Sequence, residues 1–90
     1  MSTTATDSVG DEELTTTEYR DRLRDLPPSA KLVAKVLEGE SPLSQGQLAE
    51  ESLLPDRTVR YALNRLEESD IVGSRYSFKD ARKQVYFLRT

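Results

Sequence analysis

From Leu14 onward the apolar positions fall at helical spacing, and after Asp70 they crowd together at the density of strands. Thr15 followed by Glu18 is a capping box, with Leu14 and Tyr19 placed as its hydrophobic staple. A short helix from Thr16 to Asp25 is therefore predicted. Its apolar residues Tyr19, Leu23 and Leu26 make one narrow stripe at i, i+4 and i+7. Helices this short rarely persist alone, so the stripe should dock on something. Pro27-Pro28 breaks the helix, and SAKLVAKVLEGE starts the next at Pro28 or Ser29, with Leu32, Val33, Val36 and Leu37 on one face and Gly39 as its stop. A second capping box at Ser44 and Gln47, stapled by Leu43 and Leu48, opens the short helix SQGQLAEES. Pro55 sits where its missing N–H costs little, at the start of a helix that runs to about Ser69.

Projected at about 100° per residue, that last helix has two faces. Val59, Ala62, Leu63 and Leu66 form the core side. Arg57, Tyr61 and Asn64 lie opposite, flanked by Arg60 and Arg65. Downstream, IVGSRYSF and QVYFL are rich in β-branched and aromatic residues and are joined by the polar run KDARK, so a hairpin follows. VYFL is apolar throughout, and alternation cannot say which of its faces is buried. The fold class is α+β, mainly α.

Composition narrows the chemistry. Ninety residues make one modest core. Without histidine or cysteine there are no disulfides, no thiol nucleophiles and none of the usual zinc-ligand sets, so neither metal nor cofactor is expected. No apolar run reaches the roughly 18 residues of a membrane span, and the N-terminus lacks the regions of a signal peptide. A cytosolic protein is expected. Met1 to Glu13 is acidic, rich in Ser and Thr and aperiodic, and should be a disordered tail. This divides the chain into a tail over 1–13, an amphipathic helix over 14–26 and a domain over 27–90.

The net charge of −3 hides an uneven layout. Residues 1–26 carry seven acids and three bases, residues 27–56 five and two, and residues 57–90 four and eight, giving balances of −4, −3 and +4. The local field on one face governs contact with nucleic acid, and the last third is basic. The acidic remainder, with nine Arg against four Lys, also suits an organism that accumulates salt in its cytosol.

Three helices, the second and third joined by a tight turn, followed by a hairpin, make a winged helix-turn-helix. LSQGQLAEESLLPDRTVRYALNRLEESDIV and KDARKQVYFLRT resemble the DNA-binding core and wing of the MarR-type winged-helix regulators. The similarity covers residues 27–90 and includes the Asp-x-Arg of the wing tip, here Asp80-Ala81-Arg82. The sequence departs from that pattern at Leu53, where helix-turn-helix turns favour Gly for its positive φ, so a reshaped turn is expected, with Ser52 ending the helix. The family dimerises through long flanking helices. Here the helix bearing Tyr19, Leu23 and Leu26 is left for that task, with a homodimer as the preferred outcome and intramolecular docking as the other. No effector pocket is legible.

The resemblance implies double-stranded DNA as partner, with the third helix in the major groove and Arg82, oriented by Asp80, in the minor groove. Arg57, Arg60 and Asn64 suit bidentate contacts to guanine and adenine edges. Tyr61 would meet a phosphate or a thymine methyl. Thr58, with Ser44 and Gln45 at the start of the preceding helix, would hold phosphates. Arg75, Lys79, Asp80, Arg82 and Lys83 make up the wing's share.

Each residue has a plainer reading. Exposed arginines are commonly solvated or paired, although Arg57 and Arg60 have no acid at i+4. Arg65 precedes Glu68 by three residues and suits an ion pair equally well. Wing lysines also keep exposed edges soluble. An enzyme is disfavoured, because the acidic doublets Glu50-Glu51 and Glu67-Glu68 fall on exposed helix surfaces. The competing class is a winged-helix module that docks on protein.

Overall fold

The computed structural model describes residues 14–90, and the expectation of a disordered tail over 1–13 lies outside them. α1 spans Thr16–Arg24 and α2 Pro28–Gly39; a short strand β1, Leu43–Ser44, precedes α3, Gln45–Ser52, and α4, Asp56–Glu68; β2, Val72–Tyr76, and β3, Gln84–Leu88, form the hairpin. This is the expected winged helix-turn-helix with one helix in front.

Local chemistry sets most of these boundaries. Glu18 N–H donates to Thr15 Oγ1 (3.1 Å) and Thr15 N–H to Glu18 Oε1 (2.9 Å), completing the first capping box. That acceptance holds the Glu18 carboxyl below its ordinary pKa. The second box is equally complete, with Gln47 N–H donating to Ser44 Oγ and Ser44 N–H to Gln47 Oε1. At the far end of α4, Ile71 N–H reaches Leu66 O (2.9 Å) and Asp70 N–H reaches Glu67 O (3.0 Å), with Asp70 at a positive φ of 58°. This is a Schellman stop, and it brings Ile71 onto Leu66, both fully buried.

Three expectations about α2 and the start of α3 need correction, and a fourth concerns the turn after α3. First, α2 does not bury Leu32, which is 41% exposed, and Val36 is half-buried; its inner face is Ala30, Val33, Ala34 and Leu37. These residues fall at i, i+3, i+4 and i+7, and the alanines let α2 approach α4, which offers Ala62 between its larger apolar residues. Second, Gly39 is the last helical residue and not a left-handed stop, because the chain leaves α2 through extended backbone at Glu40. Third, Leu43 and Ser44 do more than staple and cap. They pair antiparallel with β3, Leu43 against Tyr86 and Ser44 against Val85, so the sheet has three strands in the order β1-β3-β2.

The turn between α3 and α4 keeps its ordinary shape with an unusual residue in it. Ser52 ends α3 as expected, and Leu53 then takes φ 63°, ψ 22°, the left-handed conformation that glycine adopts freely. Its side chain is 89% exposed and gains little from packing. Ser52 Oγ supports the turn by accepting from Leu54 N–H (3.3 Å). Leu53→Gly is therefore expected to raise stability by about 0.5–1 kcal/mol, relief of the left-handed strain outweighing the added freedom of the unfolded chain. The midpoint of chemical denaturation should rise at constant slope, and a fall would mean that the leucine packs in a way its exposure does not show.

The helix bearing the apolar stripe docks on its own chain. Tyr19 and Leu26 are buried, and Leu23 is half-buried against the same core. Three polar ties hold α1 in place. The Tyr19 hydroxyl donates to Glu38 of α2, Arg22 Nη1 donates to Ser69 O at the end of α4 (3.0 Å), and Leu14 N–H donates to Arg89 O beyond β3 (2.7 Å). The second satisfies a carbonyl that α4 leaves unpaired and puts positive charge at the negative end of its dipole. Burial and the Glu38 carboxylate push the Tyr19 phenol well above its ordinary pKa.

Candidate nucleic-acid interface

α4 divides as its sequence divides. Val59, Ala62, Leu63 and Leu66 are buried in the core, while Arg57, Arg60, Tyr61 and Asn64 are exposed on the other side. Among the described residues the side chains of Arg57, Arg60 and Asn64 take part in no hydrogen bond or ion pair. Their donors are therefore directed at solvent from a helix whose opposite face is locked into the core. That combination suits recognition, since a rigid scaffold presents unsatisfied, specifically shaped donors.

Arg65 behaves differently. Its Nη1 donates to the Tyr61 hydroxyl (3.0 Å), its guanidinium lies 6.0 Å from the centre of that ring, and its Nε sits 3.7 Å from Glu68 Oε1. The ion-pair reading of Arg65 holds in the structure. The same contacts tether Tyr61 at the edge of the polar face. Thr58 is half-buried beside this face.

At the start of α3, Ser44 is 6% exposed and its hydroxyl is committed to the cap. What it offers a phosphate is the helix N-terminus it organises, not its side chain. Gln45 is half-buried, and its Nε2 donates to Asp56 O (3.3 Å), so it ties the N-terminus of α3 to that of α4.

The wing is a closed loop. Ser77 N–H donates to Lys83 O (2.8 Å) and Lys83 N–H to Asp80 O (2.9 Å). Asp80 Oδ1 accepts from the Arg82 backbone N–H (3.0 Å) and from Arg82 Nε (3.4 Å). The carboxylate thus holds both the backbone and the guanidinium of the arginine two residues on, while the Arg82 side chain stays 93% exposed. Lys79, Arg82 and Lys83 are exposed, and Arg75, near the end of β2, is exposed as well. Behind them, Tyr86 of β3 is half-buried. Burial and then Glu67 raise its phenol pKa, and Arg60 opposes them.

Two features escape sequence reasoning. Phe78 and Tyr76 belong to an apolar-looking run that suggests strand interior, yet they are 94% and 64% exposed at the wing tip. The Ser-Phe-Lys-Asp setting of Phe78, with polar residues on both sides, is the signal that could have found it. Among the described residues no group of three or more acidic side chains is placed to hold a metal ion, and no helix is long and apolar enough to cross a membrane.

Residues 35–72, from the latter part of α2 through α4 to the start of β2, match the model of the winged helix-turn-helix DNA-binding family. No curated protein sequence matches the chain. Among solved structures, the fold is similar to a probable transcriptional regulator from Pseudomonas aeruginosa (TM-score 0.70, 18% identity, covering 80% of this chain and 55% of that one). It is also similar to S. aureus MepR in complex with DNA (TM-score 0.68, 19% identity, 82% and 63%), and to a MarR family transcription regulator (TM-score 0.68, 17% identity, 82% and 50%). The fold is therefore that of the MarR-type regulators, and the chain spans little more than half the length of the solved proteins it matches.

Proposed function

We propose that this chain is a sequence-specific, non-enzymatic regulator of transcription that binds double-stranded DNA, with α4 in the major groove and the wing on the backbone and minor groove. The observation that carries this reading is the row of exposed, unengaged Arg57, Arg60 and Asn64 on a helix buried along its other side. Arginine pairs bidentately with guanine O6 and N7 and asparagine with adenine N6 and N7, which fits these residue types at successive turns. Thr58, Gln45 and the N–H groups opening α3 and α4 are the phosphate contacts that set register without reading sequence. A docking module would want an apolar groove, and α4 presents charge instead. The test is affinity for random-sequence duplex at low and moderate salt.

At the wing, Arg82 enters the minor groove and Asp80 pre-orients it through the contacts described above. Asp80→Ala decides between two accounts. If the wing is only a cationic patch, deleting an anion near phosphates tightens binding. If orientation matters, Arg82 must be ordered afresh on binding, at a cost of about 0.5–1.5 kcal/mol. Weaker binding is expected, by roughly two- to tenfold, with little further loss when Arg82→Ala is added. Tighter binding by the single variant would refute the orienting role. Fluorescence anisotropy at fixed salt is sufficient.

The packing of α1 bears on the oligomeric state. A homodimer built on Tyr19, Leu23 and Leu26 would need residues that are already packed on α2, and so the reading best supported is a protomer in which α1 completes the domain. Two copies bound to adjacent half-sites would then meet through another surface. Leu23→Asp is expected to cost about 1–2 kcal/mol of stability, by placing a charge against the core, and to leave the solution mass unchanged. A fall in mass by light scattering would restore the dimer through α1.

A further inference from the structure

We infer that Phe78 is an apolar wedge at the tip of the wing, inserted at a base-pair step in the minor groove of bound DNA, so that the protein bends its duplex. The inference rests on the DNA-binding reading above and adds a residue and a mode of readout to it. Single exposed apolar side chains are ordinary on protein surfaces. The place of Phe78 is not, because it is 94% exposed within a loop that also carries Lys79, Arg82 and Lys83. The loop is closed by Ser77 N–H to Lys83 O, and Lys79 N–H donates to Ser77 Oγ (3.1 Å), so the backbone on either side of Phe78 is fixed. The guanidinium of Arg75 lies 5.2 Å from the centre of the Phe78 ring. That cation lies beside the ring and leaves both its faces open to a partner.

A partner for such a tip must offer negative charge and flat apolar surface within a few ångströms of one another. A minor groove does so: two phosphate rows rim a floor of base-pair edges, and the flat faces behind them become available when an aromatic or aliphatic side chain partly unstacks one step while cations hold the rims. Steps that unstack easily, TA and CA/TG, should be preferred, which gives specificity at positions that α4 does not touch. The loop backbone is already closed in the free protein, so the Phe78 side chain alone has to be ordered on binding. Joined to α4 through Ile71 and the start of β2, the wing is carried rigidly with the helix that reads the major groove.

The experiment uses the full chain and duplexes of about 30 base pairs, close to three helical turns, enriched from a random pool by the unmodified protein and labelled at both ends for energy transfer. The unmodified protein should shorten the end-to-end distance, and TA or CA/TG steps should recur at one flank of the enriched sequences. Phe78→Ala should bind about tenfold more weakly and leave the duplex nearly straight, with an unchanged melting temperature because the side chain is exposed. Phe78→Leu keeps an apolar wedge and should keep most of the bend. Phe78→Lys is the sharpest variant, since a purely electrostatic tip would bind more tightly with it, whereas loss of the wedge straightens the duplex. An unbent wild-type complex, or a Phe78→Ala complex with wild-type affinity and bend, overturns the wedge while Arg60→Ala and Arg82→Ala still lose affinity. If the wild-type protein fails to bind any duplex in a salt-dependent way, the DNA-binding reading itself falls. Phe78-dependent binding to phosphatidylglycerol vesicles, with duplex affinity and bend untouched by Phe78→Ala, would reassign the tip to a membrane surface and overturn the proposal.

Discussion

Raising salt from about 50 to about 200 mM is expected to weaken duplex binding by roughly 250- to 4,000-fold. The figure follows from the charge layout. Eight basic residues lie between Arg57 and Arg89, and if about four to seven meet phosphates, each releasing its condensed counterion, the log–log slope of affinity on salt is about −4 to −6. The net charge of −3 does not defeat this, because residues 57–90 carry eight bases against four acids, and the local field on that face governs the encounter. Single substitutions then sort the contacts. Lys83→Ala should reduce the slope by about one unit and weaken all sequences alike, whereas Arg60→Ala should relax discrimination at one base pair by about 1–3 kcal/mol. A flat salt response would remove the DNA-binding reading. Arg60 is exposed, so its loss should leave thermal stability within about 0.5 kcal/mol, and any fall in binding belongs to recognition.

Leu66→Ala should do the reverse, unfolding the protein before it touches recognition. Leu66 is fully buried at the C-terminal end of the inner face of α4, where the Schellman stop folds Ile71 over it. Removing its side chain forfeits the transfer free energy of three carbons and leaves a cavity that rigid neighbours close only in part, at a cost of about 2–5 kcal/mol. Small domains have about 5–15 kcal/mol in total, and one of this size should lie toward the lower end. The melting temperature should drop by roughly 10–30 °C, and duplex binding at 37 °C should fall with the folded fraction. Saturating DNA should recover part of the loss by mass action. A drop of only a few degrees would mean that the core around Ile71 collapses onto the vacated space.

The two predictions rest on the two faces of α4, and that division is legible in the sequence because helical periodicity is local. The same holds for both capping boxes, whose partners are three residues apart, and for Pro55 at the mouth of α4. The Asp80–Arg82 contact spans two residues and was expected from family resemblance on those residues alone. For the capping boxes and Pro55 the interacting groups are held together by the chain itself, so spacing is enough; the Asp80–Arg82 contact is what the resemblance implies.

What only the tertiary structure decided lies between segments distant in sequence. α2 carries apolar residues around much of its circumference, and its buried side was settled by the close approach of α4, which favours Ala30 and Ala34 over the bulkier Leu32. β1 is two residues long and exists because β3 passes beside it. Leu53 accepts a left-handed backbone because the packing of α3 and α4 fixes the turn more strongly than one side chain can resist. The sequence prefers a second copy as the destination of the α1 stripe, with its own chain as the alternative; in the structure the body of the domain receives it, with polar ties to Glu38, Ser69 and Arg89. Periodicity states which residues leave water, and the surface that receives them is chosen by the element brought opposite by the fold.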